Sequence, residues 1–222
     1  MHLTPEDHTR VTTAVTAAEA QTDGEIVTIV ARQSDAYHDV ALHWALLAML
    51  LAVALLATFP ASVERIHAIV DPWNPVVGIS AALTIALIVS AAVFLLIRLI
   101  LAAPALRLAL TPKGTKARRV RARALTLFRT GAEKRTIAAT GVLLYLSLGE
   151  HRAELIADAS IHDRVSQDEW GAAMAALIVA VKDGRPADGM ADAVAAIGKV
   201  LAEHFPRSEG DTNELPDRLI EL

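Results

Sequence analysis

The fold is decided by two apolar stretches, ALHWALLAMLLAVALLATF at Ala41–Phe59 and VVGISAALTIALIVSAAVFLLI at Val76–Ile97. Neither stretch contains a charged residue. A helix needs about 20 apolar residues to cross the ~30 Å hydrocarbon core of a bilayer, and a helix satisfies its own backbone hydrogen bonds in lipid. The two stretches therefore predict a transmembrane hairpin closed by a short loop at 60–75. The alternative is a buried helical hairpin in a large soluble protein.

Charge is distributed unevenly along the 222 residues. Residues 98–135 contain 11 of the 21 Lys and Arg residues and one acid, whereas the whole chain carries a net charge of −4. Cations beside a membrane span resist translocation, and the loop between the spans contains one base, Arg65. We therefore expect both termini to be cytoplasmic and the chain to be a multi-pass protein of the bacterial inner (plasma) membrane.

The composition excludes several kinds of site. The chain has no cysteine, which removes disulfides, thiolate zinc sites and cysteine nucleophiles. The N-terminal segment carries Glu6 and Asp7 and no apolar run before Ala41, so we expect no signal peptide. The basic residues have no interleaved aromatic residues and no nucleic-acid-binding motif follows them, which argues against a nucleic-acid partner.

The segments that flank the hairpin alternate between helix and strand patterns. Capping residues, runs of β-branched residues and apolar periodicity predict, in chain order, a helix from Thr4 to Asp23, a strand at Glu25–Ala31, a basic helix at Lys113–Arg129, a strand at Gly141–Leu148, an antiparallel strand at Arg152–Ala157, and helices at Ser166–Gly184 and from Pro186 to Leu201.

This order predicts an α/β fold: a small, mixed-sheet α/β sandwich interrupted by a two-helix transmembrane hairpin. The first strand precedes the hairpin and the other strands follow it, so both parts of the domain must meet on one side. The predicted divisions are the first part of the domain at 1–40, the hairpin at 41–103, the second part at 104–204 and a Pro-broken tail at 205–222.

The basic helix has two open interpretations. Its apolar stripe contains Val120, Ala124, Leu127 and Phe128. The helix either lies on anionic lipid headgroups or packs its stripe on the sheet, and both can hold together. The bases that would contact lipid are Lys116, Arg118, Arg119, Arg121 and Arg123.

Several segments, taken in order, resemble the TPM domain, a family that joins thylakoid lumen, photosystem-II repair and acetylcholine-receptor-modulator proteins. The resemblance rests on Leu3–Asp7 opening a helix, Thr22–Val30, Gly141–Leu144 with Glu150 and Arg152, and Asp188–Met190 between two helices. It implies a small α/β sandwich. It also implies one of two roles. Some plant members are described as acid phosphatases, and divalent-cation binding is reported in the family, whereas others act as membrane-tethered assembly, repair or modulating factors.

Three acids are candidate metal ligands. If the first two strands are parallel and the third returns, Glu25, Asp158 and Asp163 come to one end of the sheet. Carboxylate oxygens suit Ca²⁺ or Mg²⁺ and could serve acid–base or phosphoryl chemistry; the alternative is that they are solvated acids at strand ends. The opposite end, where open α/β sheets usually bind ligands, offers Arg32, Asp35, Gly149 and Glu150.

No catalytic constellation is recognisable in the sequence. His151 and His162 flank the third strand as isolated histidines, and phosphate-loop, G-x-S-x-G and H-E-x-x-H spacings are absent. We therefore expect a non-catalytic scaffold or modulator of other membrane proteins, with the bilayer, its anionic headgroups and a membrane protein as partners. The alternative function is a divalent-cation-dependent acid phosphatase of the same fold.

Overall fold

The computed structural model describes residues 3–131, 140–209, 215 and 217–222. The chain divides into two compact units. The first unit, called here the α/β unit, consists of Met1–Asp35 and Lys113–Leu222. Ala36–Pro112 form the other, called here the helical unit.

The described residues form helices and strands in the following chain order: α1 (Pro5–Glu19), β1 (Glu25–Ala31), α2 (His38–Thr58), α3 (Pro60–Val70), α4 (Ile79–Ile100), α5 (Pro104–Ala109), α6 (Lys113–Gly131), β2 (Gly141–Ser147), β3 (Arg152–Ala157), α7 (Ala159–His162), α8 (Gln167–Lys182), α9 (Pro186–His204) and β4 (Ile220–Glu221).

The sheet of the α/β unit is mixed, as predicted. Its strand order is β3-β2-β1-β4. Strand β1 pairs in parallel with β2, with Glu25 opposite Gly141, and β3 returns antiparallel to β2. Strand β4 was not predicted: the end of the chain pairs in parallel with β1 through Ile29 and Ile220. This strand is only two residues long, so its sequence carries no measurable alternation.

Helices cover both faces of this sheet. On one face, side chains such as Val30 and Leu144 form a core with α1, α8 and α9. On the other face, Leu143 and Tyr145 form a second core with α6. The coverage of both faces explains the continuous apolar pattern of β1 and β2, because neither face of these strands is exposed to water.

The packing of α6 confirms one of the two interpretations of the basic helix and leaves the other untested. Val120 and Ala124 are fully buried and Phe128 is 5% exposed, all in the core that includes Leu143 of β2. The apolar stripe therefore packs on the sheet. Lipid contact by the polar face of α6 stays a prediction.

Local sequence signals fix the helix ends and one close contact. Ser166 forms the capping box that the sequence predicted, and Thr4, predicted as an N-cap, also forms one with Asp7. Gly198 allows α9 to approach α1 closely, because a Cβ atom there would lie 2.5 Å from the Cβ of Ala18. Even an alanine at this position would push the two helices apart.

The helical unit contains two helices long and apolar enough to cross a membrane, α2 with 21 residues and α4 with 22. Only 17% and 11% of their apolar windows are buried, which is unlike a core helix of a soluble protein. Helix α2 begins three residues before the predicted 41–59 stretch, after Tyr37 in a left-handed conformation (φ 52°). Helix α4 is shifted to the same extent towards Ile100.

The connection between the two apolar helices is partly helical, where the sequence predicted a loop. Pro60 occupies the first turn of α3, where the missing backbone N–H of proline removes no intrahelical hydrogen bond. Helix α3 contacts both α2 and α4. The Nε2 atom of its buried His67 lies 3.0 Å from the carbonyl oxygen of Asn74.

Candidate functional site

Two of the three predicted acids lie buried at the amino end of the sheet. Glu25 begins β1 and is 5% exposed, and Asp158 follows β3 and is 6% exposed. Their strands bring them there because Glu25 pairs with Gly141 and the amide of Asp158 donates to the carbonyl of Gly141 at 3.0 Å. The sequence thus predicted correctly which strand ends meet.

Both carboxylates already accept backbone hydrogen bonds. Asp158 Oδ2 accepts from the amide of Gly141 at 2.9 Å, and Glu25 Oε2 accepts from the amide of Leu215 at 3.2 Å. A carboxylate oxygen has further lone pairs, so these bonds leave acceptor capacity. Their immediate effect is structural, since each carboxylate links two segments distant in sequence.

The third predicted ligand differs from the other two in its exposure to solvent. Asp163 is exposed and caps the C-terminal end of the short helix α7. Within the described ranges, no group of three or more His, Cys, Asp or Glu side chains is arranged to hold a metal ion. Cation binding by Glu25, Asp158 and Asp163 therefore stays a prediction.

A third buried acid, Glu19, lies near Glu25 at this end. It is 9% exposed, and its Oε1 accepts from the amide of Ile26 at 2.7 Å. Its other oxygen has no hydrogen bond of good geometry among the described residues, although the Glu19 side chain also interacts with the carboxyl group of Asp217. Burial raises the pKa of Glu19 from 4.5 to about 8 despite the Ile26 bond, and the nearby carboxylates of Glu25 and Asp217 add to the rise.

The sequence analysis missed Glu19, although a signal was available. The residue follows Val11 and Val15 at a spacing of four, so it lies on the buried face of α1. An acid in line with an apolar stripe predicts a buried carboxyl group.

The carboxyl end of the sheet contains a hydrogen-bonded network. The amide of Ser34 donates to Glu150 Oε1 at 3.0 Å, and its Oγ lies 2.9 Å from the hydroxyl of Tyr145. The Ser147 hydroxyl donates to Glu150 Oε2. Burial raises the pKa of Tyr145, against the opposing effect of the Ser34 hydrogen bond. The network joins the segment after β1 to the turn after β2.

The geometry of this network does not support nucleophilic catalysis. Ser147 is fully buried, so a substrate cannot reach its hydroxyl. Its partner is a carboxylate, and a serine nucleophile also needs an accessible base to take its proton. His151, in a left-handed conformation (φ 48°), and His162 are both exposed, and no hydrogen bond among the described residues links either ring to Ser147.

Ion pairs within the α/β unit occupy part of the predicted lipid-contacting face of α6. Arg119 lies 2.8 Å from Asp35, and Arg121 lies 3.2 Å from Glu154. Arg118 and Arg123 are exposed, and Lys116 is half-buried. The basic face is therefore divided between bases paired within the unit and bases that face outward.

Comparisons with known proteins agree with this architecture. Residues 106–200 match the family model of the TPM domain. The NMR structure of the BA42 protein from the psychrophilic bacterium Bizionia argentinensis is similar in fold, with a TM-score of 0.58 and 18% identity over 100% of this chain and 97% of that chain. No curated protein matches significantly. At this identity the solved structure supports the fold alone. Residues 106–200 of this chain therefore correspond to a TPM domain.

Proposed function

We propose that this chain is a two-span protein of the bacterial inner membrane, whose TPM domain acts as a non-catalytic scaffold or modulator of other membrane proteins. The observation that carries the proposal is the exposed apolar surface of α2 and α4. In the chain these helices lie between β1 and β2, which pair in one sheet. Leu50 is 62% exposed and Leu87 is 70% exposed. Apolar surface of this extent needs lipid or a protein partner.

The sheet also supports the proposed topology. Strand β1 precedes the helical unit, β2 follows it, and the two strands pair directly. A folded sheet cannot form across a bilayer, so two spans would return the chain to its starting side. The bases at 98–135 favour the cytoplasmic side for the domain.

Cysteine labelling tests this topology, because the chain has no cysteine of its own. We expect Thr13→Cys on α1 and Glu203→Cys on α9 to react with a membrane-impermeant maleimide only after the cells are permeabilised. Asn74→Cys, between α3 and α4, should react in intact cells. All three positions are exposed. Labelling of Thr13→Cys and Glu203→Cys from opposite sides would overturn the proposal.

Cross-linking in native membranes tests the modulator role. A photoreactive residue at Thr13 should give a discrete adduct with a membrane protein. The matched control keeps the α/β unit and replaces residues 36–112 by an unrelated two-span hairpin. We expect the adduct to persist if the α/β unit carries recognition. Diffuse adducts with many proteins in both chains would contradict the role.

A second candidate is the divalent-cation-dependent phosphatase, which is favoured by the proximity of Glu25 and Asp158 at one sheet end. The full chain would be assayed for phosphomonoesterase activity with and without Mg²⁺ or Ca²⁺. Asp158→Asn keeps the acceptor for the Gly141 amide and removes the charge, and Asp163→Asn is its exposed counterpart. Equal rates in the wild type and Asp158→Asn would exclude the proposed site.

A further inference from the structure

A groove of about 480 Å³ lies beside the first residues of β3, the edge strand of the sheet. Helix α6 borders it with its first turn, and α8 borders it with its last turn. The volume is within the range of about 300–1,000 Å³ that is usual for small-molecule sites. Four cationic side chains line the groove: Lys113, Lys116, Arg152 and Lys182.

These four cations differ from the paired bases of α6. No ion pair or side-chain hydrogen bond joins any of them to another of the described residues, whereas Arg119 and Arg121 each have a carboxylate partner. The acid that lines the groove, Glu150, is 7% exposed, and its oxygens accept from Ser34 and Ser147. Hydrogen bonds from the neutral Ser groups leave the negative charge of Glu150 in place, so this carboxylate offsets one of the four positive charges and the groove stays net positive.

The start of α6 adds to this potential. Lys113 and Lys116 occupy its first turn, which contains no acid. A helix N-terminus carries partial positive charge and amide groups without intrahelical acceptors, so two lysines there repel the helix dipole. An anion in the groove would compensate both the lysines and the amides.

We infer that this groove binds a phosphate group. Arginine presents a planar fork that matches phosphate oxygens, and lysines supply point charges around it. Ala153 and Ile178 add apolar surface to the wall, which suits an apolar portion next to the phosphate, and the exposed His151 also lines the groove. The site binds a phosphorylated lipid headgroup or a free phosphate ester by the same chemistry. Phosphate binding in this groove goes beyond the proposed modulator role and does not depend on that role.

Lysine footprinting of the full chain in lipid nanodiscs tests the inference and distinguishes the two sources. One arm uses phosphatidylcholine nanodiscs with added inorganic phosphate, and the other uses nanodiscs of phosphatidylcholine with phosphatidic acid. We expect Lys113, Lys116 and Lys182 to be protected from acetylation in at least one arm. Exposed Lys199 on α9 is the internal reference and should react unchanged.

The pattern of protection identifies the source. Protection by inorganic phosphate indicates a site for free phosphate groups, and protection by phosphatidic acid alone indicates a lipid headgroup. Protection in neither arm overturns the inference. Equal protection of Lys199 also overturns it, because the effect would then be general screening of the surface.

Matched variants separate a built site from diffuse attraction. Arg152→Gln and Arg118→Gln remove the same charge, but exposed Arg118 does not line the groove. We expect Arg152→Gln to weaken half-maximal protection roughly tenfold or more, as for loss of a charged hydrogen bond. Arg118→Gln should leave it unchanged. An equal loss in both variants contradicts a specific site. Circular dichroism confirms that each variant is folded.

Discussion

At the amino end of the sheet, Glu19, Glu25 and Asp158 are buried, and each accepts a hydrogen bond from a backbone amide. At the carboxyl end, Arg152 and Lys182 border an open groove and have no partner among the described residues. Buried charge must be compensated within the fold, because desolvation costs several kcal/mol. The comparison teaches that the acids of this domain contribute to holding segments together, whereas the unpaired cations are available for a ligand.

Glu19 should give the largest effect, as pH-dependent stability. Its pKa is about 8 in the folded state and near 4.5 in the unfolded chain. The protonated carboxyl group therefore stabilises the fold fully below pH 4.5, and this contribution is lost as the pH rises through 8. Glu19→Gln should equal the wild type near pH 4 and exceed its stability near pH 9, by on the order of 5 kcal/mol.

Urea unfolding of the full chain in detergent micelles measures this difference. Replacing Trp44 and Trp73 by phenylalanine leaves Trp170, in the core of the α/β unit, as the fluorescent reporter. Exposed Glu203→Gln is the matched control and should show no pH-dependent difference. A Glu19→Gln difference that is constant from pH 5 to 9 would contradict a raised pKa.

Removal of a buried acid with a backbone partner should give the next largest effect. Asp158→Ala leaves the amide of Gly141 without its acceptor, which costs about 1–3 kcal/mol in the free energy of unfolding. Exposed Asp163→Ala should stay within about 0.5 kcal/mol of the wild type. The Trp170 fluorescence assay compares them. Similar losses in the two variants would remove the distinction between structural and solvated acids.

Much of the fold could be predicted from the sequence because its signals are long or chemically specific. The strands β1 and β2 are continuous β-branched and apolar runs, and the capping boxes at Thr4 and Ser166 are local hydrogen-bonding patterns. Parallel pairing of β1 with β2 was a condition of the site prediction, and the structure meets it. Helix α3 and strand β4 were missed because α3 depends on packing against α2 and α4, and β4 depends on an existing edge at Ile29.

The candidate sites were less predictable, because they depend on which partners the fold supplies. The convergence of Glu25 and Asp158 followed from strand order. The hydrogen bonds that they accept from the amides of Leu215 and Gly141 could not be predicted from the spacing of residues in the sequence. The bases of α6 looked equivalent in sequence. The distant acids Asp35 and Glu154 pair with two of them and leave the groove-lining lysines for a ligand.

The network at the carboxyl end should contribute moderately to stability. Tyr145→Phe removes a hydroxyl that lies 2.9 Å from Ser34 Oγ in a fully buried position. The loss should be about 1 kcal/mol. A double-mutant cycle with Ser34→Ala isolates the pair, because both single variants remove the same bond. Additive losses would show that the two hydroxyls do not stabilise each other.

The smallest effect, and the sharpest test of the comparison, concerns the unpaired cations. Arg152→Gln and Lys182→Gln remove like charges that repel one another around the groove and break no ion pair among the described residues. We expect the free energy of unfolding to stay within about 0.5 kcal/mol of the wild type or to rise slightly. Lower ionic strength should enlarge any rise, because screening of the repulsion decreases.

Arg119→Gln is the matched control for this test, because its guanidinium lies 2.8 Å from Asp35. Loss of that partly exposed pair should cost about 0.2–1 kcal/mol, opposite in sign to the change expected for Arg152→Gln. If the groove variants instead destabilise the chain as much as Asp158→Ala, the cations have a structural role. The two ends of the sheet would then use charge in the same way.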